Sequence, residues 1–238
     1  MHFTNIKRRK IHEDVAEQIE NQIINGSLKE GYYLPSEREL MGFFNVGRPA
    51  VREAILLLQR NGFILVGSSG RPMVCKPSAS NVIDQLSSAA KFLLSFEEGE
   101  RSFQEARRLF ESAIAKNAAI IATEKDISNL KFALHENERS IGNLKEFERT
   151  DVNFHLAIAN IGNNSVFKAL HTAIAEWLSM QRKVSLRIEG VEKKAFNYHK
   201  KIYEAIASKD PEGAWLAMDN HLIDIMKEFQ KGKSIYNE

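Results

Sequence analysis

Apolar residues recur every three to four positions along most of this chain, and the places where that rhythm breaks divide it into elements. In "KIHEDVAEQIENQIINGSLKEG", Ile11, Val15, Ile19 and Ile23 mark one face of a helix, and Asn25-Gly26 ends it. "GYYLP" follows as a loop. Ser36 stands three residues before Glu39, a capping box that opens a short helix from 36 to about 44. Asn45-Val46-Gly47 is a turn. Pro49 suits the first turn of the next helix, where its missing N–H costs nothing. That helix presents Val51, Ile55 and Leu58 to a core and closes at Asn61-Gly62. Two short β-rich runs, 63–66 and 73–76, then flank a Gly/Ser turn, which is a hairpin signal. Three helices and a hairpin predict a winged helix-turn-helix.

"KPSASN", 76–81, is polar and turn-rich and marks a boundary. Beyond it the helical period continues to the end, over about 80–96, 101–123, 125–141, 144–161, 164–187, 193–208 and 211–230. The expected fold is mainly α. A winged helix-turn-helix (1–77) and a linker (78–84) precede an all-helical bundle (85–238).

The first domain has the residue types that DNA recognition needs. Arg48 and Arg52 sit one turn apart on one face at the start of the second helix of the turn motif. That end of such a helix meets base edges in the major groove, where arginine can pair in bidentate fashion with guanine. Gly47 and Ala50 are small, and with Pro49 they let the backbone come close. Arg38 is placed to reach a phosphate, and Gly70 and Arg71 sit at the hairpin tip, where a wing would touch the neighbouring groove. The plainer alternative is a small helical domain with surface arginines.

In the second domain, polar residues fall on apolar stripes. Asp151 and His155 are four apart on one helix, bordered by Phe147, Phe154 and Ile158. His199 lies among Phe196, Ile202 and Tyr203, and His221 among Ala217, Met218 and Ile225. One carboxylate and three imidazoles facing inward from three helices suit a divalent transition metal: zinc first, nickel or manganese as alternatives. Separate core histidines, each hydrogen-bonded to backbone, are the competing reading. His135 reads as surface, and His171 as core or pocket wall. Arg107 shares a face with Phe103, Phe110 and Ile114 and points inward. Arg108, beside Gln104 and Ser112, points out. A buried arginine must be paired. Glu111, one turn on, is one partner and an incoming carboxylate another. Arg182 and Arg187 are weaker effector candidates, since a charged helix end usually just meets water.

Charge changes the picture only by its distribution. The chain has 33 Lys+Arg and 31 Asp+Glu; through Lys76 there are 11 against 8, and beyond it 22 against 23. The basic excess accompanies the DNA-reading stretch. Cys75 is the only cysteine, so no intrachain disulfide forms, which fits a reducing compartment. No signal peptide or membrane span is read, and a cytoplasmic location, on the nucleoid when bound to DNA, is expected.

"LPSERELMGFFNVGRPAVREAILLLQRNGF" with its hairpin resembles the DNA-binding domain of the GntR family of bacterial transcription regulators. The resemblance implies DNA contacts by Arg38, Arg48, Arg52 and Gly70. Many relatives carry Ser or Thr where this chain has Gly47 and Pro49, so hydroxyl contacts to phosphate are missing here. "EARRLFESAIAKNAA", "DVNFHLAIA", "NYHKKIYEAI" and "AMDNHL" resemble the FCD ligand-binding domain of the FadR branch. That likeness implies Asp151, His155, His199 and His221 as ligands of an ion, and Arg107 as the arginine that takes an organic acid. The turn motif and "KPSAS" look most like the N-acetylneuraminate (sialic acid) regulators of that branch.

The resulting expectation is a repressor, binding double-stranded operator DNA as a homodimer because each winged helix reads one half-site. A small organic acid, N-acetylneuraminate, would release it; hexuronate, gluconate or a dicarboxylate are the alternatives. Two further readings are a metal-dependent enzyme fused to a DNA-binding head and a bundle with a purely structural ion. No general base is seen beside the ligands, which speaks against the enzyme.

Overall fold

The computed structural model describes residues 9–67, 70–84 and 86–236. It divides into two compact units, Met1–Gln85 and Leu86–Glu238. The first holds α1 (Ile11–Ile24), α2 (Glu37–Phe44), α3 (Arg48–Arg60), β1 (Ile64–Val66), β2 (Pro72–Val74) and α4 (Ala79–Asp84). The capping box at α2 forms: the Ser36 amide donates to Glu39 Oε2 at 2.7 Å, and the Glu39 amide donates to Ser36 Oγ at 3.3 Å. Asn45 then turns the chain with φ 50°, in the left-handed region that Asn tolerates. The strands pair antiparallel with Ile64 opposite Val74 and Val66 opposite Pro72. Ile64 and Val74 point into a core of Val15, Ile19, Leu34, Leu40, Val51 and Leu58. Ile11, read as part of the apolar stripe of α1, is instead exposed, because it is the first residue of the helix and lies beyond the core.

The second unit holds α5 (Ser87–Leu93), α6 (Glu97–Ile121), α7 (Glu124–Arg139), α8 (Leu144–Ala159), α9 (Ser165–Trp177), α10 (Ser179–Leu186), α11 (Val191–Ala207) and α12 (Pro211–Tyr236). No strand occurs among its described residues. Thr123, Asn143 and Asn164 accept from backbone amides at the starts of α7, α8 and α9. α6 and α12 pack along each other, and α8 and α11 both pack on α6. Their common core joins Ala115, Ala118, Phe154, Ile158, Ile202, Ile206, Met218 and Leu222.

Two expected helices are each broken in two. The stretch 80–96 is α4 and α5, with residue 85 outside the described residues. The stretch 164–187 is α9 and α10, which part at the buried Leu178. The second break has a visible support: Arg182 Nη1 donates to the Ala175 carbonyl at 3.2 Å, satisfying an acceptor in the last turn of α9.

A candidate metal centre and a candidate nucleic-acid interface

Asp151 and His155 occupy one face of α8, one turn apart, while α11 supplies His199 and α12 supplies His221. One donor atom from each of the four lies within 4.8 Å of all the others, and all four side chains are buried. His199 Nδ1 is 2.8 Å from Asn137 Oδ1 on α7. An amide oxygen only accepts, so Nδ1 carries the proton and Nε2 keeps a lone pair toward the cluster. Asn137 is fixed in turn by donating Nδ2 to Thr150 Oγ1 at 3.0 Å. Nε2 of His155, Nε2 of His199 and Nδ1 of His221 have no hydrogen-bond partner.

Buried polar atoms without partners are costly, and a cation would satisfy all three at once. The protonation states fit that use. Burial pushes His199 down to about 3, against the pull of Asp151. Burial, then His199, pushes His221 well below the usual imidazole range. Burial opposes the charge on Asp151, but His155, His199 and Arg182 outweigh it and hold the carboxyl below its ordinary value. The neutral imidazoles of His199 and His221 and the ionised Asp151 are in the forms that bind a metal. Three nitrogens and one oxygen could hold zinc, nickel or manganese.

Two arginines stand against this cluster. Arg107 Nε donates to Glu111 Oε1 at 2.6 Å, and Arg182 Nε lies 3.2 Å from Asp151 Oδ2. Both line one cavity with Gln104, Gln181, Leu222 and Phe229. As it stands it encloses only about 20 Å³, room for about one water. Arg182 therefore corrects the expectation of a solvated helix end: the break before α10 folds it inward, and it is 6% exposed. Arg108 is corrected as well. Its Nη1 donates to Asp219 Oδ1 at 2.7 Å, and Gln104 and Ser112 beside it are buried. α6 is covered by α12, α8, α9 and α11, so little of its circumference is left for a polar face.

His171 resolves to core, with its ring stacked 6.4 Å from that of His155. His135 is on the surface. Sequence reasoning missed Asn137, which gives no signal among the polar positions of α7. It also missed that Glu111 touches His155 as well as Arg107, which puts a carboxylate beside the donor set where none was expected.

In the first unit, a broad concave face brings Arg38, Arg48, Arg52, Gly70 and Arg71 together. Pro49 and Ala50 do not line it. Glu37, which the sequence left unremarked, lies among the arginines. Arg48 Nε donates to Glu37 Oε2 at 2.7 Å, and Arg52 Nε is 3.6 Å from Oε1. Arg48 is held by Nε and Arg52 faces the same carboxylate through Nε, which leaves their Nη ends for an outside acceptor. Arg71 Nε donates to the Leu34 carbonyl at 3.4 Å, and its guanidinium lies 5.7 Å from the centre of the Tyr33 ring. Gly70 has φ +72°, a left-handed conformation that suits glycine at a wing tip. No described helix is long and apolar enough to cross a membrane.

Residues 11–71 match the family described as "Bacterial regulatory proteins, gntR family", and residues 103–224 match the FCD domain. The HTH-type transcriptional repressor NanR of Klebsiella aerogenes is 40% identical over 232 residues, spanning 96% of this chain and 89% of that one. The HTH-type transcriptional repressor NanR of Escherichia coli is 39% identical over 219 residues, 91% of this chain and 83% of that one. Among solved structures, a GntR protein of Streptococcus agalactiae superposes with a TM-score of 0.64 at 24% identity. That match covers 91% of this chain and 99% of that one, and it is a likeness of fold.

Proposed function

The chain belongs to the gntR family of bacterial regulatory proteins and carries an FCD domain, and from that premise we propose that it is a metal-containing transcriptional repressor released by N-acetylneuraminate. Residues 1–77 read operator DNA, 78–84 link, and 85–238 bind metal and effector and form the homodimer. Arg38, Arg48, Arg52, Gly70 and Arg71 carry the DNA face, with Pro49 and Ala50 keeping the start of α3 slim. Asp151, His155, His199 and His221 hold the ion, zinc foremost.

The observation that carries this reading is the adjacency of the two halves of an acid trap. Four buried donors converge, each imidazole has a nitrogen that makes no hydrogen bond, and the cavity next to them is lined by Arg107 and Arg182. The ion, when bound, supplies a Lewis-acidic point for a carboxylate. Arg107 and Arg182 supply charge-assisted donors for the same small acid. The relatives named as NanR repressors support a sialic acid as that effector. A switch needs the effector to favour the DNA-released arrangement over the DNA-bound one.

The test is fluorescence anisotropy of the zinc-loaded protein on labelled DNA from its own promoter, at fixed salt because phosphate contacts are salt-sensitive. N-acetylneuraminate should weaken binding while glucuronate and gluconate do not. Release by glucuronate or gluconate alone moves the effector to another sugar acid. Absence of promoter binding defeats the repressor reading.

A further inference from the structure

Glu111 stands between a cavity-lining arginine, Arg107, and a member of the donor cluster, His155. It is buried at 4% exposure on α6. One carboxylate oxygen, Oε1, accepts from Arg107 Nε at 2.6 Å. The other, Oε2, lies against His155 Nδ1, in ion-pair contact. His155 therefore turns its unpartnered Nε2 away from Glu111 and keeps Nδ1 toward it. Burial alone would raise the Glu111 carboxyl, but Arg107, then His155, outweigh it and hold it well below the usual range. Glu111 is thus the anion shared by a cavity arginine and a candidate metal ligand.

We propose that Glu111 is a positioning residue that orients His155 and couples the Arg107 cavity to the cation site, so that an anion in the cavity and a metal on the cluster strengthen each other. This role rests on the four donors holding a metal. Two effects give it its sign. A carboxylate behind a ligating imidazole fixes the ring and raises its basicity. An incoming anion that engages Arg107 draws the guanidinium off Glu111, which leaves more of the carboxylate's charge for His155. The same anion also neutralises a positive charge close to the cation. Both effects tighten metal binding, and by linkage the metal tightens anion binding by the same factor.

The roles of the two residues separate by substitution. Zn²⁺ affinity is measured by competition with a chromophoric chelator, with and without saturating N-acetylneuraminate, for wild type, Glu111→Gln and Arg107→Gln. Thermal melts of the metal-free proteins check that each variant folds. Glu111→Gln keeps the shape and removes the charge, and it should weaken Zn²⁺ binding by about 10- to 100-fold. In wild type the acid should tighten Zn²⁺ binding by about fivefold or more, and in Glu111→Gln the gain should vanish. Arg107→Gln should bind Zn²⁺ at least as tightly as wild type and show no gain with the acid.

Unchanged Zn²⁺ affinity in Glu111→Gln overturns the proposal. A tenfold weakening in Arg107→Gln overturns it too, and that result stands even if Glu111→Gln does not fold. Wild type that binds no Zn²⁺ defeats the metal reading and this inference with it. Wild type that binds Zn²⁺ without any gain from the acid defeats the choice of effector, and the Glu111→Gln affinity then decides the positioning role alone.

Discussion

The two candidate sites use charged side chains under opposite conditions. On the concave face of the first unit, Arg48 and Arg52 are exposed and share the half-exposed Glu37. In the second unit, Arg107, Arg182, Asp151 and Glu111 are buried and compensate one another. Exposed ion pairs contribute about 0–1 kcal/mol, so the DNA face can give up its pairs to phosphate or bases at little cost to folding. A buried charge that loses its partner costs several kcal/mol, so the inner network holds its geometry until something of matching charge replaces a member. In the proposed reading, one surface exchanges water for DNA and the other responds to an ion and an acid.

Stripping the metal should give the largest effect, and only on the inner site. A ligand at about 1,000 times its Kd adds about 4 kcal/mol to stability. Chelation of zinc-loaded protein should therefore lower the melting temperature of the second unit by about 10 °C. A far-UV circular dichroism melt with and without EDTA measures it. An unchanged melt would remove the contrast between the sites.

Acid comes next, in the metal-free protein. His171 is pushed down to about 4, first by burial, and His199 to about 3. Folded pKa values below the unfolded value mean that the folded state takes up fewer protons. The stability due to these histidines is thus complete above about pH 6.5 and is lost as pH falls toward 4 and below. His171 alone accounts for on the order of 3 kcal/mol of that loss. Glu111 and Asp151 have lowered values, so their contributions persist until the pH drops below the ordinary carboxylate range. Melts between pH 7.5 and 4.5 should fall steadily; a flat profile contradicts neutral buried imidazoles.

Arg48→Ala sharpens the other half. It should weaken promoter binding by about 1–3 kcal/mol if the residue reads a base. Its melting temperature should stay near wild type, since exposed substitutions cost within about 0.5 kcal/mol. Equal binding with an altered melt would reverse the assignment. The smallest effect belongs to Gly70→Ala. Its positive φ makes a Cβ cost about 1–2 kcal/mol, although nothing lies within 4 Å to clash with it. A melt of the first unit reads that cost.

The same difference explains what can be read from the sequence. Asp151 and His155 are legible because a four-residue step on one helix fixes their common direction. The capping box at Ser36 and Glu39 is legible for the same local reason, and so is the pairing of Arg107 with Glu111. Asn137 is not, because its role depends on His199, 62 residues away. Nor is the inward turn of Arg182, which follows from a helix break at a leucine that carries no breaker signal. Arg108 misleads because amphipathic reasoning assumes one wet face, and α6 is enclosed by several helices. Glu37 looks like an ordinary first-turn acid until α2 and α3 bring it to Arg48.

If the buried donors hold an ion that, with Arg107, holds the acid, calorimetric titration of N-acetylneuraminate should show it binding to zinc-loaded protein. Its affinity should be lost or fall at least fivefold once zinc is removed, on the order of ordinary site-to-site coupling. Equal binding to both forms would contradict that role for the ion.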